Sequence, residues 1–391
     1  MKRLAIVTTH PIQYNAPLFK LLAERKNIDI KVFYTWGESV LEKKYDPGFG
    51  KVIEWDIPLL DGYEYEFLVN TAKVKGSSHF KGIVNPNAVS VIERYSPDAI
   101  LIYGWAFNSH LKLLRHFKNK IPVLFRGDST LLDKTNLFQS LKRKIFLRYI
   151  YSFIDFALYT GKNNYRYYKK AGLNDKQLVF APHAIDNTRF ESENPSYKNE
   201  AKLIREEMGM MPTSMVFLFA GKLEPKKDVE ILLNAFMKYA SKTSLHLLIV
   251  GNGILENSLK KRYQAFNVHF LDFQNQKKMP AIYEVADIYV LPSKGPGETW
   301  GLSVNEAMAN GKAIIVSDKC GCAADLIRPG ENGFIFKSGD ERELSKILET
   351  LICDRALVKQ MQDCSKMIIQ DYTLNHVAEA IEYIINKKIL N

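Results

Sequence analysis

Gly295-Pro-Gly-Glu298-Thr-Trp-Gly301-Leu-Ser-Val-Asn-Glu306-Ala-Met-Ala-Asn310-Gly311 is the stretch from which the rest of the chain is read. It opens as a loop rich in Gly and Pro, enters a helical stretch from about Ser303 and stops at Asn310-Gly311, a helix C-terminal signal. A loop feeding a helix start presents unpaired backbone N–H groups and a partial positive charge, which together suit a phosphate. Glu298 and Glu306 lie on either side of that junction. On one continuous helix they would stand about 80° apart around the axis and roughly 12 Å along it, too far to share a proton. They read as two separate hydrogen-bonding arms flanking a phosphate site.

Short apolar runs precede this stretch at regular intervals. Met215-Val-Phe-Leu-Phe-Ala220, Ser244-Leu-His-Leu-Leu-Ile-Val250, Val268-His-Phe-Leu271 and Ile288-Tyr-Val-Leu291 read as buried strands, and Ala313-Ile-Ile-Val316 follows it. A helical pattern over 229–239 separates the first two. The same alternation occupies the first half, with Leu4-Ala-Ile-Val7, Ile28-Asp-Ile-Lys-Val-Phe-Tyr34, Ala99-Ile-Leu-Ile-Tyr103, Val123-Leu-Phe125 and Phe156-Ala-Leu-Tyr159. Strands spaced by helices predict two α/β units, each a doubly wound parallel sheet, with ligands at the C-terminal ends of the strands. The polar segment 184–212 joins them. The predicted domains are 1–187 and 188–372, with 373–391 a final helix. Residues 36–97 read as irregular, with turns at Asp46-Pro-Gly48 and Asp61-Gly62.

A chain of 391 residues with 46% hydrophobic content is long enough for two or three domains with separate cores. No apolar run reaches the length of a membrane span. The six-residue apolar stretch after Met1-Lys-Arg fits an opening strand better than a secretory signal. The four cysteines, all in the last quarter, lack metal-ligand spacing and a disulfide framework, so a reducing cytoplasm is the expectation. The net charge of +11 is local: residues 101–170 hold 14 Lys or Arg against 3 Asp or Glu, and the remainder sums to zero.

Several loops sit at the ligand ends of predicted strands. Gly221-Lys222-Leu-Glu-Pro-Lys226-Lys227-Asp228 places Lys222 and Lys227 where they can neutralise a diphosphate, or else forms a solvated turn. Gly251-Asn-Gly253 permits close backbone approach, or is simply a turn. In the first half, Thr9-His-Pro-Ile-Gln-Tyr-Asn15 follows the opening strand. There His10, Gln13 and Tyr14 either contact a substrate or pack locally against the first helix. Arg126, at the end of another strand, is a further candidate substrate contact.

Taken in order, Gly221-Lys-Leu with Lys227, Gly251-Asn-Gly253, Tyr283-Glu-Val-Ala-Asp-Ile-Tyr-Val-Leu-Pro-Ser293, Glu298-x7-Glu306 and Asn332-Gly-Phe334 resemble the motifs of glycosyltransferase family 4, retaining enzymes of GT-B fold. The resemblance is specific over about 216–337 and weaker before that, where Pro182-His-Ala-Ile-Asp186 stands near the domain junction. It implies a GT-B fold of two Rossmann-like domains. It also implies that Glu306 holds the ribose of a sugar nucleotide and that Glu298 meets the donor sugar. Backbone amides at Leu302 and Ser303, after Gly301, would receive phosphate, and Lys222 and Lys227 would clamp the diphosphate and stabilise the leaving charge. Gly221, Gly251 and Phe273 would line the donor site. His110, in Gly104-Trp-Ala-Phe-Asn-Ser-His110, would approach the donor sugar, or is structural. The last helix would cross back to the first domain. Three features depart from the pattern: Lys222 where Arg is usual, Leu271-Asp272-Phe273 in place of Phe-x-Gly, and no Gly-Gly loop after the first strand.

No Asp-x-Asp reads as a metal site and no His, Cys or carboxylate cluster has ligand spacing, so no metal and no cofactor beyond the donor are expected. The expected function is a retaining, metal-independent glycosyltransferase. It would use a nucleotide diphosphate sugar, UDP-linked by preference, and a glycan or lipid-linked acceptor in surface polysaccharide or glycolipid assembly. The basic, aromatic stretch 134–170 either docks on an anionic membrane, giving a cytoplasmic protein peripheral to the inner face of the cell membrane, or is an ordinary surface helix. Alternatives are another GT-B enzyme such as a sugar-nucleotide epimerase or a glycoside phosphorylase and, remotely, a nucleic-acid-binding protein. No nucleic-acid motif accompanies the patch, so nucleic acid is not an expected partner. A glycosidase using Glu298 and Glu306 fits the phosphate-site context poorly.

Overall fold

The first strand, β1 (Arg3–Thr8), buries Leu4, Ala5, Ile6 and Val7 completely, as a strand covered on both faces must. In the computed structural model, which describes residues 1–38, 44–46, 48–133 and 137–388, the chain forms two compact units. The first comprises Met1–Lys43, Pro58–His183 and Thr373–Asn391; the second comprises Lys44–Ile57 and Ala184–Tyr372.

Short strands β3 (Lys44–Asp46) and β4 (Lys51–Ile53) belong to the second unit and pair only with each other, antiparallel. The first unit is a seven-stranded parallel sheet. Its strands β2 (Asp29–Tyr34), β5 (Glu64–Phe67), β6 (Ala99–Tyr103), β7 (Val123–Arg126), β8 (Phe156–Tyr159) and β9 (Leu178–Phe180) join β1 in the order β5-β2-β1-β6-β7-β8-β9. Helix α1 (Ala16–Arg25) starts with Pro17 in its first turn, where proline's missing N–H costs nothing, and closes on Lys26 in the left-handed region. Between β2 and β6 lies α2 (Ala88–Tyr95); α3 (Asn108–Phe117), α4 (Leu137–Tyr151) and α5 (Lys162–Ala171) link the following strands.

The second unit is a six-stranded parallel sheet. After α6 (Pro195–Glu207) come β10 (Met215–Ala220), α7 (Val229–Met237), β11 (Leu245–Val250), α8 (Glu256–Arg262), β12 (Val268–Leu271), α9 (Met279–Val285) and β13 (Ile288–Leu291). Then follow α10 (Leu302–Ala309), β14 (Ala313–Ser317), α11 (Ala323–Leu326), β15 (Gly333–Phe336), α12 (Glu341–Cys353) and α13 (Arg355–Ile368). The strand order is β12-β11-β10-β13-β14-β15, so the sequence of strands reverses between β10 and β13. Ligands of open α/β sheets bind at such a reversal, beyond the carboxyl ends of the strands.

Helix α14 (Leu374–Tyr383) belongs to the first unit, where it packs on α1. The Glu382 carboxylate accepts from Arg25 Nε at 2.8 Å and Nη2 at 2.9 Å, and from Asn27 Nδ2 at 2.9 Å. Residues 389–391 lie outside the described residues.

The units differ from the predicted domains in two places. The division falls after His183, not 187, and residues 44–57, assigned by sequence to the first domain, belong to the second unit. The physical reason is side-chain docking. Lys51 Nζ lies 2.5 Å from the Asp272 carboxylate, and the Phe49 ring packs 4.7 Å from that of Phe273.

Candidate functional site

The reversal between β10 and β13 gathers the second half's candidate residues. Beyond β10, Gly221-Lys222-Leu-Glu turns into a single helical turn at Pro225–Lys227, and Asp228 in the left-handed region starts α7. Beyond β13, the loop 292–301 runs to α10. Lys227, from the first loop, is ion-paired to Glu298 Oε2 in the second, and Ser293 Oγ donates to the same oxygen at 2.7 Å. The side chains of Lys227 and Glu298 are only 17% and 11% exposed, so water weakens their attraction far less than it would on the surface. Lys294 joins the same loops through Asp228, at 2.9 Å, and through its backbone N–H to Lys226 O.

Gly301 sits at the N-cap of α10 with φ of +104°, and a Cβ there would stand 2.8 Å from Leu291 Cδ2. Both the conformation and the space call for glycine. The approach to the helix is fixed from the side: Gly321 N donates to Glu298 O and Cys322 N to Trp300 O, each at 3.0 Å. Trp300 Nε1 donates to Asn305 Oδ1 at 2.8 Å. Leu302 and Ser303 form the first turn, whose N–H groups have no acceptor within the helix. Ser303 Oγ accepts from Tyr289 OH at 2.7 Å.

Glu306, 3% exposed, faces inward and accepts from Tyr283 OH at 2.7 Å. Glu298 and Glu306 therefore have separate partners in separate surroundings, one beside a cation in a loop and one beside a phenol in a helix.

Gly251, with φ of +133°, lets the loop after β11 press on the loop after β10; a Cβ there would lie 2.0 Å from Gly221 O. The buried Asn252 side chain ties this loop to the next, donating to Asp272 at 3.0 Å and accepting from Phe273 N at 2.8 Å. The Lys51 ammonium, with Asn252, holds the Asp272 carboxyl below its ordinary value. Phe273 stacks at a tilt on Phe49, and the Lys222 ammonium stands 4.8 Å above the Phe49 ring. Sequence reasoning missed Phe49, Lys51 and the 44–57 segment here, together with Ser293, Tyr283 and Gly321 as holders of the glutamates. Asp46-Pro-Gly48 marks a turn in the sequence, but nothing local says what that turn packs against.

Residues 201–371 match the family model of glycosyl transferases group 1. The matched region lies wholly within the second unit.

A sulfoquinovosyl transferase of Arabidopsis thaliana is 27% identical over 168 residues, 42% of this chain and 32% of its own. The UDP-Gal:alpha-D-GlcNAc-diphosphoundecaprenol alpha-1,3-galactosyltransferase of Escherichia coli is 26% identical over 213 residues, 53% of each chain. The chain thus spans about half or less of the curated relatives it matches. Among solved structures, the Anabaena protein HepE in complex with UDP superposes with a TM-score of 0.70 at 18% identity, over 97% of this chain and 98% of that one. With two parallel-sheet units, that likeness gives the chain a GT-B fold.

Lys222, Lys227, Glu298, Gly221, Gly251, Gly301 and Phe273 lie in loops of the second unit at the carboxyl end of its sheet, and Leu302, Ser303 and Glu306 lie on α10, which follows one of those loops. The remaining candidates belong to the first unit. His10, Gln13 and Tyr14 follow β1, half-buried, with the His10 ring edge-on to Trp36 at 5.2 Å and its Nδ1 2.8 Å from Thr9 Oγ1.

His110 is wholly buried near the start of α3. Its Nδ1 faces the carbonyls of Tyr103 and Gly104 at 2.9 and 3.1 Å, and its Nε2 lies 2.8 Å from Thr35 Oγ1. Burial pushes its pKa down to about 4. Arg126, 7% exposed, donates to Ala181 O at 2.9 Å and Pro182 O at 2.8 Å, fixing the backbone that leaves the first unit. These two side chains are thus held by partners within their own unit.

Among the described residues, no group of three or more His, Cys, Asp or Glu is placed to hold a metal, and no helix is long and apolar enough to cross a membrane.

Proposed function

We propose that the protein is a retaining glycosyltransferase that moves a sugar from a nucleotide diphosphate, UDP by preference, to a hydroxyl of a glycan or lipid-linked acceptor in surface polysaccharide or glycolipid assembly. The carrying observation is the Lys227–Glu298 pair at the sheet reversal, set beside the N-terminal turn of α10 and the buried Glu306. The helix start and the two lysines supply the positive charge that a diphosphate requires. Glu306 offers a carboxylate to the ribose hydroxyls, and Glu298 is placed to meet the donor sugar once phosphate engages Lys227.

In the proposed reaction the acceptor oxygen bonds to the anomeric carbon on the face from which the phosphate leaves. The anomeric carbon–oxygen bond breaks, and the leaving phosphate oxygen takes the acceptor's proton, releasing the nucleoside diphosphate. The protein's share is position and charge, from Lys222, Lys227 and the backbone amides at Leu302 and Ser303, with no metal or cofactor in the proposal.

The lipid-linked acceptor is supported by the outer face of α4. Lys142, Arg143, Lys144 and Arg148 are exposed there beside Ile145, Phe146 and Tyr149, while Leu147 and Ile150 face the core. Basic and apolar groups exposed together suit an anionic bilayer surface, in keeping with a protein on the inner face of the cell membrane. The first part of the predicted basic stretch, 134–136 and the side chains at 137–141, lies outside the described residues.

Thermal unfolding with UDP, GDP and ADP sugars is the first test, because a bound donor raises Tm by mass action. The expected result is a shift with one base class and release of the nucleoside diphosphate that rises when acceptor is added. No shift with any donor would overturn the proposal, and conversion of the donor without acceptor would turn it to an epimerase. Co-sedimentation with vesicles with and without anionic lipid tests the membrane; negligible binding to both would remove it.

A further inference from the structure

The hairpin β3–β4 forms no part of either large sheet, and a two-stranded hairpin by itself is marginal in water. Its contacts with the strand-end loops of the second sheet account for its place. At the tip, Lys51 Nζ reaches Asp272 Oδ2 at 2.5 Å and Phe49 packs on Phe273. On the return leg, Glu54 O accepts from Asn275 Nδ2 at 2.5 Å, and the Asp56 carboxylate accepts from Lys277 N at 3.2 Å. Trp55 adds an edge contact to Phe273, with centroids 6.4 Å apart. The segment is therefore fastened along the whole loop that follows β12.

What this fastening presents is one ring face. Phe49, braced by Phe273, lies under the Lys222 ammonium, 4.8 Å from its centroid. The tip backbone is equally near: a Cβ on Gly48 would fall 2.5 Å from Lys222 Nζ. A lysine ammonium on a four-carbon stem has no planar fork to orient it and gives up rotamer freedom when it binds an anion. A ring face that holds the ammonium beforehand lowers that loss, and the ring's negative face attracts the charge.

We propose that Phe49 is a positioning residue of the donor site, holding Lys222 ready for the donor diphosphate, and that the Lys51–Asp272 pair is the latch that keeps Phe49 in place. The proposal rests on the donor-site reading above. It assigns a function to a segment that neither sheet requires.

The test measures binding of UDP, GDP and ADP, and of the nucleoside of whichever binds, to the full chain and to Phe49→Ala, Phe49→Leu and Phe49→Trp. Circular dichroism checks that each variant is folded. Loss of the ring is expected to weaken the nucleoside diphosphate by about three- to tenfold, the range of a partly desolvated cation–ring contact. Phe49→Leu should behave like Phe49→Ala, and Phe49→Trp should keep wild-type affinity. Nucleoside affinity should not move.

In a Lys222→Ala background, Phe49→Leu should have no further effect, which a merely structural role would not give. Lys51→Asp and Asp272→Lys should each weaken the diphosphate, and their combination should restore it. Unchanged binding in Phe49→Ala and Phe49→Leu overturns the proposal. So does tighter binding, which would make the tip an obstruction, and so does a parallel fall in nucleoside affinity, which would make the ring a platform for the base. If the wild-type chain binds none of the three diphosphates, the donor-site reading itself falls and this inference with it.

Discussion

Lys227 and Glu298 meet across the one place in the second sheet where strand order reverses, and Ser293 donates to the same carboxylate oxygen that takes the lysine's charge. A cation thus stands at the strand ends beside the start of α10, paired with a carboxylate. Lys227→Ala should lower transferase turnover by at least about tenfold, the scale of one lost electrostatic contact to a leaving group. It also leaves a mostly buried carboxylate with Ser293 but without its cation, which should cost about 1–3 kcal/mol of stability. Turnover with the identified donor and urea denaturation check the two effects separately. Near wild-type turnover would remove Lys227 from the site.

Glu306 is held by Tyr283, so its carboxylate should lose its fixed direction when that phenol is removed. Tyr283→Phe keeps the ring in the core and deletes the hydroxyl that donates to Glu306, with an expected cost of about 1–2 kcal/mol. Donor affinity should fall with it, and Glu306→Ala should cut turnover at least about tenfold while the fold is retained. Calorimetric titration with the donor compares the two variants.

His110 titrates far below the ordinary value near 6.5, because burial disfavours its charged form. The unfolded chain takes up a proton as pH falls below about 6.5, while the folded ring resists until about 4. The contribution to stability is therefore complete above pH 6.5 and is lost progressively toward pH 4, up to about 3 kcal/mol in all. His183, half-buried and also pushed down to about 4, adds in the same direction. Urea midpoints at pH 7.5, 6 and 5 should fall steadily in the wild type and less steeply in His110→Gln.

Arg25 and Glu382 join helices far apart in sequence, one near the start of the chain and one near its end. Glu382→Ala should release α14 from α1, at a cost of about 1–3 kcal/mol, since the carboxylate accepts three bonds from two residues. Amide exchange should speed up over 374–383 and leave the second unit unchanged. Equal protection in the variant would show that apolar packing alone docks the helix.

The parallel sheets were legible because strands buried on both faces must be apolar along their whole length; Met215–Ala220, Ile288–Leu291 and Phe156–Tyr159 stand in the structure where the sequence places them. The loop at Gly301 was legible for a different reason: glycine, a following helix and an Asn310-Gly311 stop are local requirements, visible without a fold. Strands β5, β9 and β15 went unread because a run of three or four residues is too short to carry a periodic pattern.

The sequence by itself determined two α/β units, the loops that end their strands, and the residue types available there: two lysines and a helix start that suit a phosphate, and two glutamates beside them. Tertiary structure alone decided which groups meet. Glu298 takes Lys227 and Ser293, Glu306 takes Tyr283, and a hairpin from the first part of the chain sets Phe49 against Phe273 and Lys222 in the second unit. Periodicity and turn chemistry are properties of neighbouring residues, whereas an ion pair or a ring contact across 71 or more positions of chain depends on the order in which strands are laid into a sheet.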